Sequence, residues 1–233
     1  MFGYDDAIIE RYPAIRAGVV HATGLANSPS SPVLLAEYRA EQQAAVQRLA
    51  TTAIAGLPSI VAWRRVFTGF GAKPTQYRNA AEALLRRLTK QGDIPTLGTL
   101  VDVGNLVSIR YALPVAVIDQ AGVAGSITVR FATGDESFDD LGSSGSVHPE
   151  PGEVIFTDEK NQVSARRWCW RQSVQSATSP TTTDALIVVE GHHDAAAGDT
   201  AHAVADLIRL LACYQPAGQV TSCLLSPGHP RAR

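Results

Sequence analysis

The sequence predicts a globular fold of mixed helix and strand, and two observations carry that expectation. Up to Tyr111 apolar residues recur mostly at helical spacing, after one early strand. Beyond Asp119 the pattern turns to strands and glycine-rich turns, with one further helix near the end. A chain of 233 residues, 45% of them hydrophobic and 18% charged, can bury a sizeable core as one domain or two tightly joined ones.

In order, IRAGVVHATGLAN reads as a strand with Val19 and Val20 buried and His21 at its end. Ser31-Pro32 supplies an N-cap and first-turn pair for a helix whose apolar face is Tyr38, Ala45, Val46, Leu49 and Ala53. A shorter helix beginning near Leu57-Pro58 carries Trp63, Val66 and Phe67. In GFGAKPTQYRNAAEALLRRLTKQG, Ala72 and Pro74 interrupt any phosphate loop, so nucleoside triphosphate binding is rejected. The segment is expected to form a turn and then a helix, with Pro74 in the first turn and Gly92 closing it. Tyr77, Ala81, Leu84, Leu85 and Leu88 are its inward residues.

The stretch from Ile94 to Asp119 is the expected centre of the molecule. Asp102, Asn105 and Ser108 lie along one side of a helix, and Leu100, Val103, Val107 and Tyr111 form its apolar stripe. Leu113-Pro114 ends that helix, and VAVID is a buried strand. SITVRFAT alternates as a half-buried strand before the turn Gly134-Asp135-Glu136. LGSSGSVHPEPG is a loop without a Gly-x-Ser-x-Gly elbow. GEVIFTDEKNQVSARRWCWRQSV is a hairpin turning near Lys160-Asn161, with core-packing Trp168 and Trp170 on one sheet face, Gln172 beside them and Cys169 opposite. TTTDALIVVEGHHD is a strand that delivers Glu190, His192 and His193 at its end. A helix from about Thr200 to Cys213 and a strand QVTSCLLS complete the domain, expected to span 1–225, with 226–233 a flexible C-terminal tail.

A net charge of -2 argues against a general polyanion binder, although Arg64-Arg65, Arg86-Arg87 and Arg166-Arg167 with Arg171 form local basic clusters. No apolar run is long enough to span a bilayer, and the first residues lack a signal-peptide pattern, so a membrane is not an expected partner, and DNA is not expected either. Cys169, Cys213 and Cys223 have no zinc-ligand spacing and cannot all pair, which fits a reducing cytoplasm. His192, His193, Asp194 and His202 show no His-x-x-x-His arrangement; neither a metal nor a cofactor is expected. Glu190 and His192 alternate onto one strand face, the placement of a carboxylate that orients a basic imidazole.

Taken in order, LVDVGNLVSIRYALPVAVID, ITVRFATGDE, the helix KPTQYRNAAEALLRRL, EVIFTDEKNQVSARRWCWRQS and TTTDALIVVEGH resemble the editing module of the phenylalanyl-tRNA synthetase beta chain, the B-three/B-four domain, in its free-standing form. The resemblance runs from about Tyr12 to Leu211 and implies an α+β fold with a mixed β-sandwich core flanked by helices. It also implies hydrolysis of the ester joining a wrong amino acid to the 3′ end of an aminoacylated tRNA. Two departures stand out. Ala116 replaces a histidine two residues after the proline, and Arg171-Gln172-Ser173 replaces a Gly-Gly-Glu turn.

The expected catalytic residues are therefore Gln172, Glu190 and His192. Asn105, Ser108, Glu136 and Thr183 are the expected contacts to the aminoacyl adenosine, with Arg110, Arg130 and Arg171 for its phosphates. A trans-acting aminoacyl-tRNA deacylase is the leading expectation. A non-catalytic module that binds tRNA or an amino acid is the alternative, and a hydrolase or sensor for a small metabolite is a third.

Overall fold

The computed structural model describes residues 1–141 and 145–232. Part of the expected glycine–serine loop, residues 142–144, and Arg233 of the expected tail lie outside the described residues. The elements run β1 (Phe2–Tyr4), α1 (Asp6–Arg11), β2 (Arg16–Thr23), α2 (Pro32–Leu49), α3 (Pro58–Gly69), α4 (Ala80–Gln91), α5 (Thr99–Tyr111) and β3 (Val115–Asp119). They continue with β4 (Ile127–Phe131), β5 (Phe138–Asp139), β6 (Ser146–Val147), β7 (Val154–Thr157), β8 (Val163–Arg166), β9 (Arg171–Gln172), β10 (Asp184–Gly191), α6 (Ala196–Tyr214) and β11 (Gln219–Leu225).

The strands form a mixed sheet in the order β1-β4-β7-β8-β9 and an antiparallel sheet in the order β11-β2-β10-β3. Strand alternation fixes what lies on each side of the second sheet. Val19, Ile118, Leu186 and Val188 face the first sheet and pack with Phe2, Val129, Phe156 and Trp168. Val20, Val117, Ile187 and Val189 face the opposite way, onto α2, α4, α5 and α6. α1 and α3 close the sandwich with Ile8, Trp63 and Phe67. This is an α+β fold with a β-sandwich core flanked by helices.

Most predicted elements form near their predicted bounds, and the exceptions have identifiable causes. α4 begins at Ala80 rather than near Pro74, because Asn79 Oδ1 accepts the Glu82 amide at 3.0 Å and is the cap. Gly92, at φ 86°, ends it as expected. On α2 the buried positions include Glu41 and Gln42, while Val46 is exposed. Gln42 brackets the backbone of Ile94 in both directions, and Glu41 takes Arg48 and Arg110. Trp168 and Trp170 are not in a strand. Arg167 and Trp168 adopt φ of 45° and 62° in the turn joining β8 to β9, so strict alternation fails there. Trp168 is fully buried and Trp170 half-buried.

β1 and α1 were not anticipated. β1 pairs in parallel with β4, Gly3 opposite Thr128, and Asp5 caps α1. Residues of the expected tail lie along β1: the Tyr4 amide donates to Pro230 and the Ala232 amide to Phe2.

Candidate functional site

β10 is buried along almost its whole length and ends at the edge of the sandwich. The alternation that sends Leu186 and Val188 between the sheets sends Glu190 there too. Its carboxylate Oε1 accepts two hydrogen bonds, from the Tyr4 hydroxyl at 2.5 Å and from Trp168 Nε1 at 2.9 Å. Among the described residues no protein donor reaches Oε2. Burial lifts the carboxyl to about 7, against the opposing pull of the Trp168 and Tyr4 donors. Burial also pushes the Tyr4 hydroxyl and the Cys169 thiol well above their ordinary values, and the charge of Glu190 adds to both.

Glu190 lines a small cavity of about 80 Å³ between the sheets, together with Ala116, Trp168, Cys169, Arg171 and Gln172. Gln172 is held firmly, since its Nε2 donates to the carbonyls of Val117 at 2.9 Å and Ser176 at 2.7 Å. Ala116 sits opposite Val188 in the β3–β10 ladder, and the absence of a larger side chain there leaves part of the cavity open. Ala116 and two of the three residues at the other departure from the module the sequence resembles, Arg171 and Gln172, thus line one pocket. At its mouth Trp170 is flanked by the guanidinium groups of Arg171 and Arg167, 4.7 and 4.9 Å from the ring centre, and by the ring of Tyr77. Asp140 pairs with Arg171.

Gln172, Glu190 and Arg171 are therefore brought together, but the other predicted site residues are not. His192 lies on the same side of β10 yet makes no hydrogen bond to Glu190, because Trp168 takes the carboxylate and its ring stands 5.0 Å from the imidazole. His192 sits among Tyr12, Trp63 and Trp168, where burial lowers it to about 3 and keeps it neutral. The expected Glu–His dyad is not formed.

The polar side of α5 does not reach this cavity either. Asp102 accepts from Ser30, Thr96 and the Leu97 amide, organising the loop before the helix. Ser108 is buried and its hydroxyl donates to the Leu113 carbonyl, closing the helix end. Asn105 lies on the α2 side, near enough to Tyr38 to lower its hydroxyl against the rise caused by burial. Arg110 is held by Glu41 and Asp206, each at 2.7 Å. All four stand in the helix layer, which the second sheet separates from the inter-sheet cavity.

Glu136 is fully buried, pairs with Arg130 and accepts from the Thr133 and Gly134 amides. Burial alone pushes its carboxyl up, but these donors outweigh it and hold the group at about 2. Arg130 and Glu136 therefore fix the turn after β4. Thr183 precedes β10, at the end opposite Glu190, roughly 23 Å away at the usual rise per residue. Sequence reasoning missed Tyr4, whose partner lies almost the whole sandwich away along the chain; the alternating Phe2-Gly3-Tyr4 was the one available sign of a strand.

Fold and pocket together define an α+β domain with a carboxyl-bearing cavity between two sheets. The chain belongs to the B3/4 domain family, whose model matches residues 62–206. Among solved structures it is similar to an N-terminal fragment of the phenylalanyl-tRNA synthetase beta subunit from Pyrococcus horikoshii, at 11% identity and a TM-score of 0.47. That match covers 94% of this chain and 50% of the fragment, so the chain spans half the fragment's length. No curated protein matches the sequence.

Proposed function

We propose that this domain hydrolyses the ester of a mischarged aminoacyl-tRNA in trans, with the inter-sheet cavity as the reaction site. The observation that carries the reading is Glu190, a buried carboxyl lifted to about 7 with one oxygen to which no described residue donates. Such a group holds its proton loosely at neutral pH and suits general-base work. In the proposed step Glu190 takes a proton from water as the water oxygen attacks the ester carbonyl. Collapse of the tetrahedral intermediate expels the ribose hydroxyl, which recovers that proton. The ester is already activated, so positioning and one base are sufficient chemistry. Arg171, stacked on Trp170 at the mouth of the cavity, offers a guanidinium to the phosphates beside the terminal adenosine.

The small cavity volume favours a second reading, in which the pocket takes only an amino-acid side chain and no turnover follows. Release of amino acid from a panel of mischarged tRNAs separates the two. The deacylase reading expects release by the native protein and a rate rising through about pH 7 as Glu190 loses its proton. It also expects a loss of at least roughly 100-fold in Glu190→Gln. Binding without release across the panel would leave the second reading standing.

A further inference from the structure

A second cavity, of about 840 Å³, lies on the far side of His192 among α2, α3, α5 and the start of α6. It shares no lining residue with the inter-sheet pocket, and its size is that of a small-molecule site. Ala45, Leu49, Leu85 and Ile109 give it an apolar wall. Most of its charges are already matched: Arg48 and Arg110 share Glu41, and Asp199 holds His193 Nε2 at 2.7 Å. Among the described residues Arg65 and Asp194, both exposed, line it without an ion-pair partner.

Two further features point to a ligand. α3 and α6 both begin at this cavity, at Leu57-Pro58 and Ala195, and neither start has a side-chain cap. Pro58 has no N–H and the Ala196 amide donates to the His193 carbonyl at 2.9 Å, so the next amides, of Ser59 and Ala197, and the positive dipole ends are what favour an anion. His192, only 8% exposed, and His193 line the cavity as well, and among the described residues His192 Nε2 and His193 Nδ1 are buried without a hydrogen-bond partner. Unsatisfied polar atoms of this kind are rare in native interiors.

We propose that this cavity binds a small amphipathic zwitterion, with a carboxylate at the two helix starts and Arg65, an ammonium at Asp194 and an apolar body on the α2–α5 wall. Free apolar amino acids and short apolar peptides share that chemistry. The proposal is independent of the deacylase reading, because it concerns a separate cavity.

Calorimetric titration of the full chain with L-leucine, leucyl-leucine, N-acetyl-leucine and leucinamide tests it. Leucine or leucyl-leucine should bind, the tighter of the two identifying the source, and the two singly charged analogues should bind about tenfold more weakly. Arg65→Ala and Asp194→Asn should each weaken binding by about tenfold, and Ala62→Trp, which fills the cavity, should abolish it. Ala116→Leu, in the inter-sheet pocket, should leave this affinity unchanged. The proposal is overturned if neither zwitterion binds at millimolar concentration or if the analogues bind equally well. Binding lost through Ala116→Leu while Arg65→Ala retains it would also overturn it.

Discussion

Glu190 titrates near 7 in the folded chain and at about 4.3 once unfolded. Between those values the folded state binds more protons than the unfolded one, so this group's contribution to stability declines as pH rises through the window. Above pH 7 both states are ionised and the full penalty remains, about 4 kcal/mol from the size of the shift. Glu190→Gln keeps an acceptor for Tyr4 and Trp168 but carries no charge. In urea denaturation the variant should be more stable than the native protein by about 4 kcal/mol at pH 8, the advantage shrinking to about 1 at pH 5. Equal stability of the two proteins at pH 8 would count against a raised carboxyl. At this scale the sequence showed Glu190 and His192 on one strand face. It did not show that an indole from a turn would take the carboxylate and leave the imidazole among aromatic rings.

β2 lies at the centre of the second sheet, between β11 and β10, and α6 packs across it. A Cβ placed on Gly18 would stand 2.1 Å from Val204 Cγ2 and 3.0 Å from Val189 Cγ1. Gly18→Ala should therefore push α6 away and lower stability by about 1–3 kcal/mol, measured as a shift in denaturation midpoint. Helices and strands were legible where one periodicity dominates, as in β10 or α6. Boundaries were less so: Pro74 and Asn79 are both acceptable helix starters, and only Asn79 caps α4. The polar side of α5 was legible as a stripe, but its targets, the loop at Ser30–Leu97 and the Leu113 carbonyl, come from chain segments that folding brings beside it.

The two large cores meet across one sheet, with Val19 and Val188 on one side and Val20 and Ile187 on the other. Neither core can lose its strands without the other losing its floor. We propose on that basis that residues 1–225 form one cooperative unit. Thermal unfolding followed by far-ultraviolet circular dichroism and by tryptophan fluorescence should then give coincident transitions. Separate midpoints would divide the helix layer from the sandwich, since Trp63 and Trp168 report only on the latter.

The sequence by itself determined the mixed helix and strand content, most of the elements and the family resemblance, because spacing, caps and turn residues are local properties of the chain. It also brought Ala116 and Gln172 to notice as departures from the related module. Only the tertiary structure decided that those two positions, with Glu190 and Arg171, line one cavity, whereas Asn105, Ser108 and Arg110 stand across a sheet from it. The physical reason is that a sheet has two faces and a stripe on a helix has many possible neighbours. Long-range pairings such as β1 with β4 settle which faces meet, and no local pattern encodes them.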